Sequence, residues 1–138
     1  MSNVIGSGID LVENTRIREM IERWGHRFVD RVFCDREQAY CTRMAAPYQH
    51  YAGRFAVKEA VSKAFQTGIG PQVSWLDIEV VRHPDSGAPS VALSGRAAAY
   101  AEGLGVREIL ISLAHTRDYA IANATLLSSP VPQRKDLP

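Results

Sequence analysis

The sequence predicts a single α+β domain with an antiparallel sheet. Its 138 residues are about the length of one ordinary domain, and neither a repeat nor an internal linker divides them. A strand-like segment opens the chain, several helical segments follow, and strand-like segments dominate the second half. This order of elements indicates the α+β class.

The first strand is expected over Val4–Val12, and two glycines interrupt it. Glycine inside a strand marks either a bulge or a position where a backbone or a ligand comes close. Gly6 and Gly8 therefore predict a close approach to this strand.

A helix should follow the strand. Asn14 or Thr15 is placed to cap its start, and Gly25 is a natural stop. Its apolar residues have the i, i+3, i+4, i+7 spacing of one helix face: Ile17, Met20, Ile21 and Trp24.

Two further helices are expected before the late strands. Asp35 followed by Gln38 resembles a capping box, which predicts a helix over Arg36–Met44 that ends before Pro47. The longest helical pattern runs from about Tyr48 to Phe65, where a glycine-containing loop begins.

The period then changes to that of strands, with one alanine-rich helix over Arg96–Leu104 that Ser94 is placed to cap. A turn at residues 84–87 joins the first two late strands. The domain is expected to span residues 1–127, with a disordered tail at 128–138. The four predicted late strands are Leu76–Arg82, Val91–Leu93, Glu108–Ala114 and Tyr119–Leu126.

Charge and composition exclude several classes of protein. Sixteen basic residues against 15 acidic ones leave a net charge of +1, which excludes a broadly cationic nucleic-acid binder. We expect no signal peptide and no membrane span, because no apolar run reaches about 20 residues, and hence a cytoplasmic protein. Cys34 and Cys41 lie about 10 Å apart along a helix, so free thiols are expected, and no zinc-ligand spacing is present.

The most informative segment is residues 52–65 of the longest helix. At about 100° per residue, Glu59 and Lys63 share one face and border the buried side, whereas Arg54 and Lys58 are expected to point toward solvent. Two interpretations are open. Glu59 and Lys63 could form a surface ion pair worth about 0.3–0.5 kcal/mol. They could instead place a carboxylate and an ammonium above small residues, where a substrate can approach.

A second candidate is Asp10, at the end of the glycine-containing segment. The segment is neither a G-x-G-x-x-G loop nor followed by G-K-[ST], and an acid repels phosphate unless a cation lies between them. Asp10 and Glu59 could hold Mg²⁺, which takes one or two carboxylates and completes its coordination with water and substrate phosphates. The alternative is that Asp10 is a turn or cap residue.

His115 ends a strand in phase with its apolar face, and either a structural role or a site role is open. The loop at residues 66–70 follows a helix C-terminus, whose dipole disfavours anions. A phosphate there would need a metal or a basic side chain such as Lys63, and a simple glycine helix stop is the alternative. The other histidines are interpreted as surface residues without partners: His26, His50 and His83.

In order and spacing, these segments resemble the holo-(acyl-carrier-protein) synthases, the small bacterial 4′-phosphopantetheinyl transferases. The resemblance covers roughly residues 4–127, and Gln66 departs from it, since the family usually has glycine there. Residues 5–12 with Arg16-Ile17 match the motif G-x-G-x-D…R-I, residues 54–64 match R-F-A-x-K-E-A-x-x-K-A, and segments 76–80, 87–89 and 112–116 fit the later strands.

The resemblance implies transfer of 4′-phosphopantetheine from coenzyme A to a serine of apo-acyl carrier protein, for fatty acid biosynthesis, with release of adenosine 3′,5′-bisphosphate. It also implies Mg²⁺ as cofactor and a homotrimer with sites between subunits. Apart from the resemblance, the strand around Ile109 and Leu110 is apolar on both faces, which predicts a partner surface. Two other classes stay open: a non-catalytic module that binds coenzyme A or carrier protein, and a Mg²⁺-dependent phosphohydrolase.

The resemblance also implies roles for individual residues. Asp10 and Glu59 look like the metal ligands, and Glu59 or a metal-bound water could take the serine proton. Lys63 is placed to stabilise or protonate the leaving phosphate. The remaining roles are contacts to coenzyme A by Arg54, Lys63, Gly68, His115 and Thr116, and docking of the acidic carrier protein by Arg16.

Overall fold

The computed structural model describes residues 3–131. Within these residues there are five helices and five strands, and a short 3₁₀ turn at Trp75–Asp77 precedes the second strand. In chain order the elements are β1 (Val4–Glu13), α1 (Asn14–Trp24), α2 (His26–Val32), α3 (Asp35–Arg43), α4 (Pro47–Ala64), β2 (Ile78–Arg82), β3 (Pro89–Leu93), α5 (Gly95–Leu104), β4 (Glu108–His115) and β5 (Tyr119–Leu127).

The strands form two antiparallel sheets, which confirms the predicted α+β class. One sheet has the order β1-β5-β4, and the other is the β2-β3 hairpin. Helix α4 packs across β1 and β5, and α1, α3 and β2 pack on other parts of its surface. The core is therefore built around α4, with small residues where helix and sheet meet: Ala52, Ala56, Ala60 and Ala64 on α4, and Ala120, Ala122 and Ala124 on β5.

Gly6 and Gly8 are the positions where β1 comes closest to α4. A Cβ atom at position 8 would lie 2.1 Å from the carbonyl oxygen of Ala60 and 2.6 Å from the backbone nitrogen of Ala64. A Cβ atom at position 6 would lie 2.1 Å from the carbonyl oxygen of Ala64. The close approach predicted from these glycines is thus made by the backbone of a helix. Because side chains alternate along a strand, Asp10 lies on the same face as both glycines and faces α4.

Helix starts differ in detail from the predictions. Asn14 does not cap α1; its Nδ2 donates hydrogen bonds to the carbonyl oxygens of Thr116 (3.1 Å) and Arg117 (2.9 Å), tying α1 to the β4–β5 turn. The capping box of α3 lies one residue earlier than predicted, where Glu37 accepts a hydrogen bond from the backbone N–H of Cys34 at 2.9 Å.

Three further features differ from the predictions. Helix α2 was not predicted, and it buries Phe28 and Val32. The predicted strand at 76–82 begins only at Ile78, after the 3₁₀ turn. Ser94 stands at the start of α5 without a side-chain cap bond, and the carboxylate of Asp77 accepts the backbone N–H of Ala97 instead, at 3.2 Å.

Lys58 is buried, so the prediction that it points toward solvent was wrong. Its side chain is 0% exposed, and its Nζ donates to Glu37 Oε1 at 2.7 Å and to the carbonyl oxygens of Val32 (2.6 Å) and Trp75 (3.1 Å). The second oxygen of Glu37 accepts the backbone N–H of Val80 at 2.9 Å. Burial lowers the pKa of Lys58, and Glu37 opposes that shift. The pair joins α3 and β2 to α4 inside the fold.

Other expectations concern thiols, membranes and the tail. Cys34 and Cys41 are free, as predicted. Between residues 3 and 131, no helix has the length and apolarity needed to cross a membrane. The predicted tail begins at Ser128, whose backbone N–H donates to the carbonyl oxygen of Asn3 at 2.8 Å; its residues 132–138 lie outside the described residues.

We predict that Gly8→Ala lowers the free energy of unfolding by about 2–3 kcal/mol or prevents folding, because the new methyl would meet helix backbone that has no free direction to move. Chemical denaturation measures the change.

Gly103→Ala is the matched control, since nothing lies within 4 Å of a Cβ at that exposed position of α5. It should raise stability by up to about 1 kcal/mol, because alanine favours a helix over glycine. A Gly8→Ala protein as stable as the parent would contradict the close packing of β1 on α4.

Candidate functional site

The end of β1 and the last turns of α4 form one cluster of charged side chains. Lys63 Nζ donates to Asp10 Oδ1 at 2.9 Å and to the carbonyl oxygen of Ile9 at 3.1 Å. Glu59 lies one helical turn before Lys63. Of the two interpretations, a surface pair of Glu59 and Lys63 is not the one observed, because Lys63 pairs with Asp10 instead. We refer to Asp10, Glu59 and Lys63 as the carboxylate site.

Electrostatics tie Glu59 to the same cluster. Burial raises the pKa of Glu59 above its usual value, and the negative charge of Asp10 raises it further. The charges of Lys63 and Arg16 oppose this shift. The site therefore contains two carboxylates that repel each other, and the ammonium of Lys63 bridges from α4 to Asp10 on β1.

The donor set suits a cation such as Mg²⁺. A divalent cation would remove the repulsion between Asp10 and Glu59, and both offer the hard oxygen ligands that Mg²⁺ prefers. Within residues 3–131, no group of three or more His, Cys, Asp or Glu side chains could enclose a metal. Two carboxylates fit an ion that takes its other ligands from water and phosphate.

The loop after α4 closes the helix beside Lys63. The backbone N–H of Gln66 donates to the carbonyl oxygen of Lys63 at 2.9 Å, and the backbone N–H of Thr67 donates to the carbonyl oxygen of Ser62 at 3.3 Å. These two bonds form the Schellman motif of a helix C-terminus. Gln66 has φ +64°, a left-handed conformation that glycine adopts without strain. Gly68 is also at φ +64°, and its backbone N–H donates to the carbonyl oxygen of Ser62 at 3.2 Å. The loop is a helix stop, and its role as a cofactor contact stays a prediction.

A second cluster lines a cavity of about 220 Å³ between α3, α4, the β2–β3 hairpin and β4. Arg54, expected to face solvent, is only 4% exposed, because α4 is covered on this side as well. Its Cζ lies 4.1 Å from the centre of the Tyr40 ring, and its buried Nε has no hydrogen-bond partner among residues 3–131. We name this the cationic cavity after its polar lining, which is Tyr40, His50, Arg54, Arg82 and His115.

Two histidines meet in this cavity. His115 lies over Gly53, where a Cβ atom would be 2.4 Å from the His115 Cε1, and its ring centre is 5.7 Å from that of His50. Burial lowers the pKa of both imidazoles, and the charge of Arg54 lowers each further. His50 was wrongly interpreted as a residue without partners. Its position four residues before Arg54, on the same helix face, is the signal that could have identified it.

Thr116 follows His115 but serves the β4–β5 turn. Its Oγ1 accepts the backbone N–H of Tyr119 at 2.9 Å, and its carbonyl oxygen accepts hydrogen bonds from Asn14 and Gln49. The structure thus shows what holds the strand end that carries His115.

The carboxylate site and the cationic cavity lie on different sides of α4. Arg54 and Lys63 are nine residues apart, which is about half a turn around the helix axis and about 14 Å along it. No residue of the carboxylate site is among those lining the cationic cavity in the described chain.

Arg16 is exposed on α1, close enough to act on the pKa of Glu59. Farther along α1, a groove of about 340 Å³ between α1 and α2 combines apolar and basic side chains. Trp24, 42% exposed, borders it, and the guanidinium of Arg23 lies 5.0 Å from the Trp24 ring. The groove is lined by Met20, Trp24, Arg27, Phe28 and Arg31.

Comparison with known proteins identifies close relatives. Residues 6–124 match the family model of the 4′-phosphopantetheinyl transferase superfamily. The holo-[acyl-carrier-protein] synthase of Natranaerobius thermophilus is 45% identical over 125 residues, which cover 91% of this chain and 98% of that protein.

Two solved structures have the same fold. The Helicobacter pylori holo-[acyl-carrier-protein] synthase in complex with coenzyme A gives a TM-score of 0.77 at 32% identity, covering 87% of this chain and 98% of that one. A holo-(acyl-carrier-protein) synthase from Bacillus anthracis in complex with CoA (3′,5′-ADP) gives 0.77 at 34% identity, covering 93% and 100%.

We predict that Gln66→Gly raises the free energy of unfolding by about 1 kcal/mol, because glycine removes the strain of a side chain at positive φ. Denaturation curves measure the gain. Gln66→Ala is the control and should bring no such gain, because alanine keeps the Cβ atom. Equal stability of the Gly and Ala variants would show that this loop is not strained.

Proposed function

Because the chain belongs to the 4′-phosphopantetheinyl transferase superfamily, we propose that it transfers 4′-phosphopantetheine from coenzyme A to a serine of an acyl carrier protein, releasing adenosine 3′,5′-bisphosphate. One observation carries this proposal beyond family membership. The chain combines a two-carboxylate site with a lysine, suited to a cation-bound pyrophosphate, and a separate cationic cavity, suited to a phosphate monoester. Coenzyme A contains both groups.

Asp10 and Glu59 would hold Mg²⁺ through their carboxylate oxygens. When bound, the ion would supply positive charge that neutralises the pyrophosphate and the transferring phosphoryl group. Lys63, bonded to Asp10 at 2.9 Å, adds a fixed positive charge at the same place.

The chain's own residues account for the proton movements. The carboxylate of Glu59, one of the two acids of the carboxylate site, would accept the proton of the serine hydroxyl. The serine oxygen then bonds to the phosphorus that carries pantetheine, and the bond from that phosphorus to the bridging oxygen breaks. Lys63 would stabilise or protonate the phosphate of the departing nucleotide.

The nucleotide end would lie in the cationic cavity. Arg54 offers a buried N–H that has no partner within the described chain, and His115 stands at the strand end beside it. Both suit the 3′-phosphate of coenzyme A. Gly68 and Thr116 are further proposed contacts to coenzyme A, although their backbone N–H groups already donate to the carbonyl oxygens of Ser62 and Tyr119.

This assignment requires two copies of the chain at each site. The 3′-phosphate and the pyrophosphate of coenzyme A are attached to one ribose, whereas Arg54 and Lys63 of one chain lie on opposite sides of α4. One molecule of coenzyme A can therefore reach both clusters only if a neighbouring chain supplies one of them.

An exposed apolar face supports the same conclusion. On the side of the β1-β5-β4 sheet that faces away from α4, Ile9 is 58% exposed and Leu11 is 61% exposed. Ile121 on β5 and Leu110 on β4 continue this face, and an apolar face of this kind is usually covered. We propose a closed cyclic homotrimer joined through these strands.

Arg16 and the groove on α1 and α2 would dock the carrier protein, which is acidic. Arg27 and Arg31 provide positive charge, and Met20 and Trp24 provide apolar contact. Arg16 also acts electrostatically on Glu59, so the surface adjoins the carboxylate site.

We predict that Asp10→Asn and Glu59→Gln each lower turnover by about 100-fold or more, because each removes a charge needed to stabilise the transition state. The gain in mass of apo-carrier protein incubated with coenzyme A and Mg²⁺ measures transfer. Glu102→Gln on exposed α5 is the control and should keep parental activity.

The same measurement decides between the candidate functions. Binding of coenzyme A without any transfer would indicate a non-catalytic module, and consumption of coenzyme A without carrier protein would indicate a hydrolase. Full activity of the Asp10 and Glu59 variants, with the parent active in EDTA, would reject the carboxylate site as catalytic.

Arg16→Glu should raise the KM for carrier protein about tenfold while leaving the KM for coenzyme A nearly unchanged, since exposed opposite charges mainly govern association. Steady-state kinetics at two salt concentrations measure this, because screening should weaken the wild-type dependence. Arg107→Glu, on another surface, makes the same charge change and should have no effect. A raised KM for coenzyme A alone would assign Arg16 to the nucleotide instead.

The active species should have about three times the 15.2 kDa mass of one chain. Asp10→Ala and His115→Ala proteins, each weakly active alone, should regain activity when refolded together in equal amounts, since about a quarter of all sites would be intact. An active monomer, or no recovery in the mixture, would disprove a shared site.

A further inference from the structure

The cationic cavity contains one more proton-binding side chain than the proposed function uses. His50 stands on α4 one turn before Arg54, half-buried, with its ring centre 5.6 Å from Tyr40 and 5.7 Å from His115. Among the described residues, the cavity lining includes arginine and histidine but neither aspartate nor glutamate. An anion entering it would meet positive or neutral groups on every side.

The elements around His50 each contribute a positive or neutral polar side chain to the cavity or its border. Helix α3 provides Tyr40, with Arg43 at 5.7 Å from its ring centre, and α4 provides Arg54. Strand β2 provides Arg82, whose guanidinium lies 5.2 Å from the Tyr40 ring centre, and β4 provides His115. The charges that act on the two imidazoles are that of Arg54 and, on His115, that of His50 itself.

We propose that His50 is a second anchor for the phosphate monoester in this cavity and that His50 and His115 take up protons when the dianion binds. The inference rests on the proposed function only in naming the ligand, the 3′-phosphate of coenzyme A. His50 would be a binding and specificity residue, since it would raise the affinity for a ligand with a doubly charged 3′-phosphate over one with a free 3′-hydroxyl.

The direction of the effect follows from charge. Without an anion, burial and Arg54 lower the pKa of both imidazoles, so both are mostly neutral near pH 7. A phosphate dianion reverses the sign of the local potential and raises both pKa values. Binding therefore takes up protons, and affinity falls as the pH rises through the pKa values of the complex.

The experiment is calorimetric titration of the full chain with adenosine 3′,5′-bisphosphate at pH 7.5, in two buffers of different ionisation enthalpy. The wild type should take up about 0.5–1 proton, and its affinity should fall about fivefold between pH 6.5 and 8. His50→Gln should lose at least half of that uptake and of that pH dependence. The phosphate itself, with a second pKa near 6, would release protons on entering a cationic site, so uptake reports the imidazoles.

His26→Gln is the matched control, since His26 is exposed on α2 and pairs with Asp30. It should behave as wild type. Adenosine 5′-monophosphate, which lacks the 3′-phosphate, should bind without proton uptake. No uptake by the wild type, or equal uptake by the His50→Gln protein, would overturn the inference.

If His50→Gln does not fold, an NMR titration of the wild-type imidazoles with and without adenosine 3′,5′-bisphosphate answers the same question. An unchanged pKa of His50 on binding would overturn the inference. Failure of the proposed function would look different: proton-linked binding would persist, but no carrier protein would gain phosphopantetheine. In that case His50 would remain an anchor for a phosphate monoester in a protein of other activity.

Discussion

The backbone of β1 packs directly against the backbone of α4, and the candidate site depends on this contact. Gly6 and Gly8 leave no space for a side chain, and Ala60 and Ala64 present only methyl groups beside them. Because strand residues alternate, the next side chain on this face is Asp10. The packing that closes the core therefore also delivers a carboxylate to the last turns of α4.

The other side of α4 is held by buried charge. The pair of Lys58 and Glu37 bonds to backbone groups of α2, the 3₁₀ turn and β2, so both buried charges have partners. Removing one partner of such a pair typically costs about 3–5 kcal/mol, since the other charge is left unpaired. Helix α3 is thereby fixed against α4, and Tyr40 is held over Arg54.

Covering α4 on both sides divides its polar groups into two sites of opposite character. The carboxylates of Asp10 and Glu59 repel phosphate unless a cation is present, and they lie where the helix ends. Arg54 and the histidines attract phosphate without a cation, and they lie in a cavity between α3, α4, the β2–β3 hairpin and β4. Coenzyme A has both a pyrophosphate and a phosphate monoester, so it would need both sites. Because the two sites of one chain lie on opposite sides of α4, the proposed mechanism includes assembly of several chains.

The sequence by itself determined the order of the elements other than α2, the close approach at Gly6 and Gly8, and the shared face of Glu59 and Lys63. These follow from periodicity and from the special backbone properties of glycine, which act over a few residues. It also supplied the matched motifs around Asp10 that indicate the family.

Only the tertiary structure decided which polar side chains of α4 are buried. A helical pattern defines faces but does not say how many of them are covered, so Arg54 and Lys58 were placed in solvent although α3 and β2 cover them. The contacts of His50 were missed for the same reason, because its partners Tyr40 and His115 come from distant parts of the chain. Burial on a second side depends on contacts between elements far apart in sequence, and no local pattern encodes it.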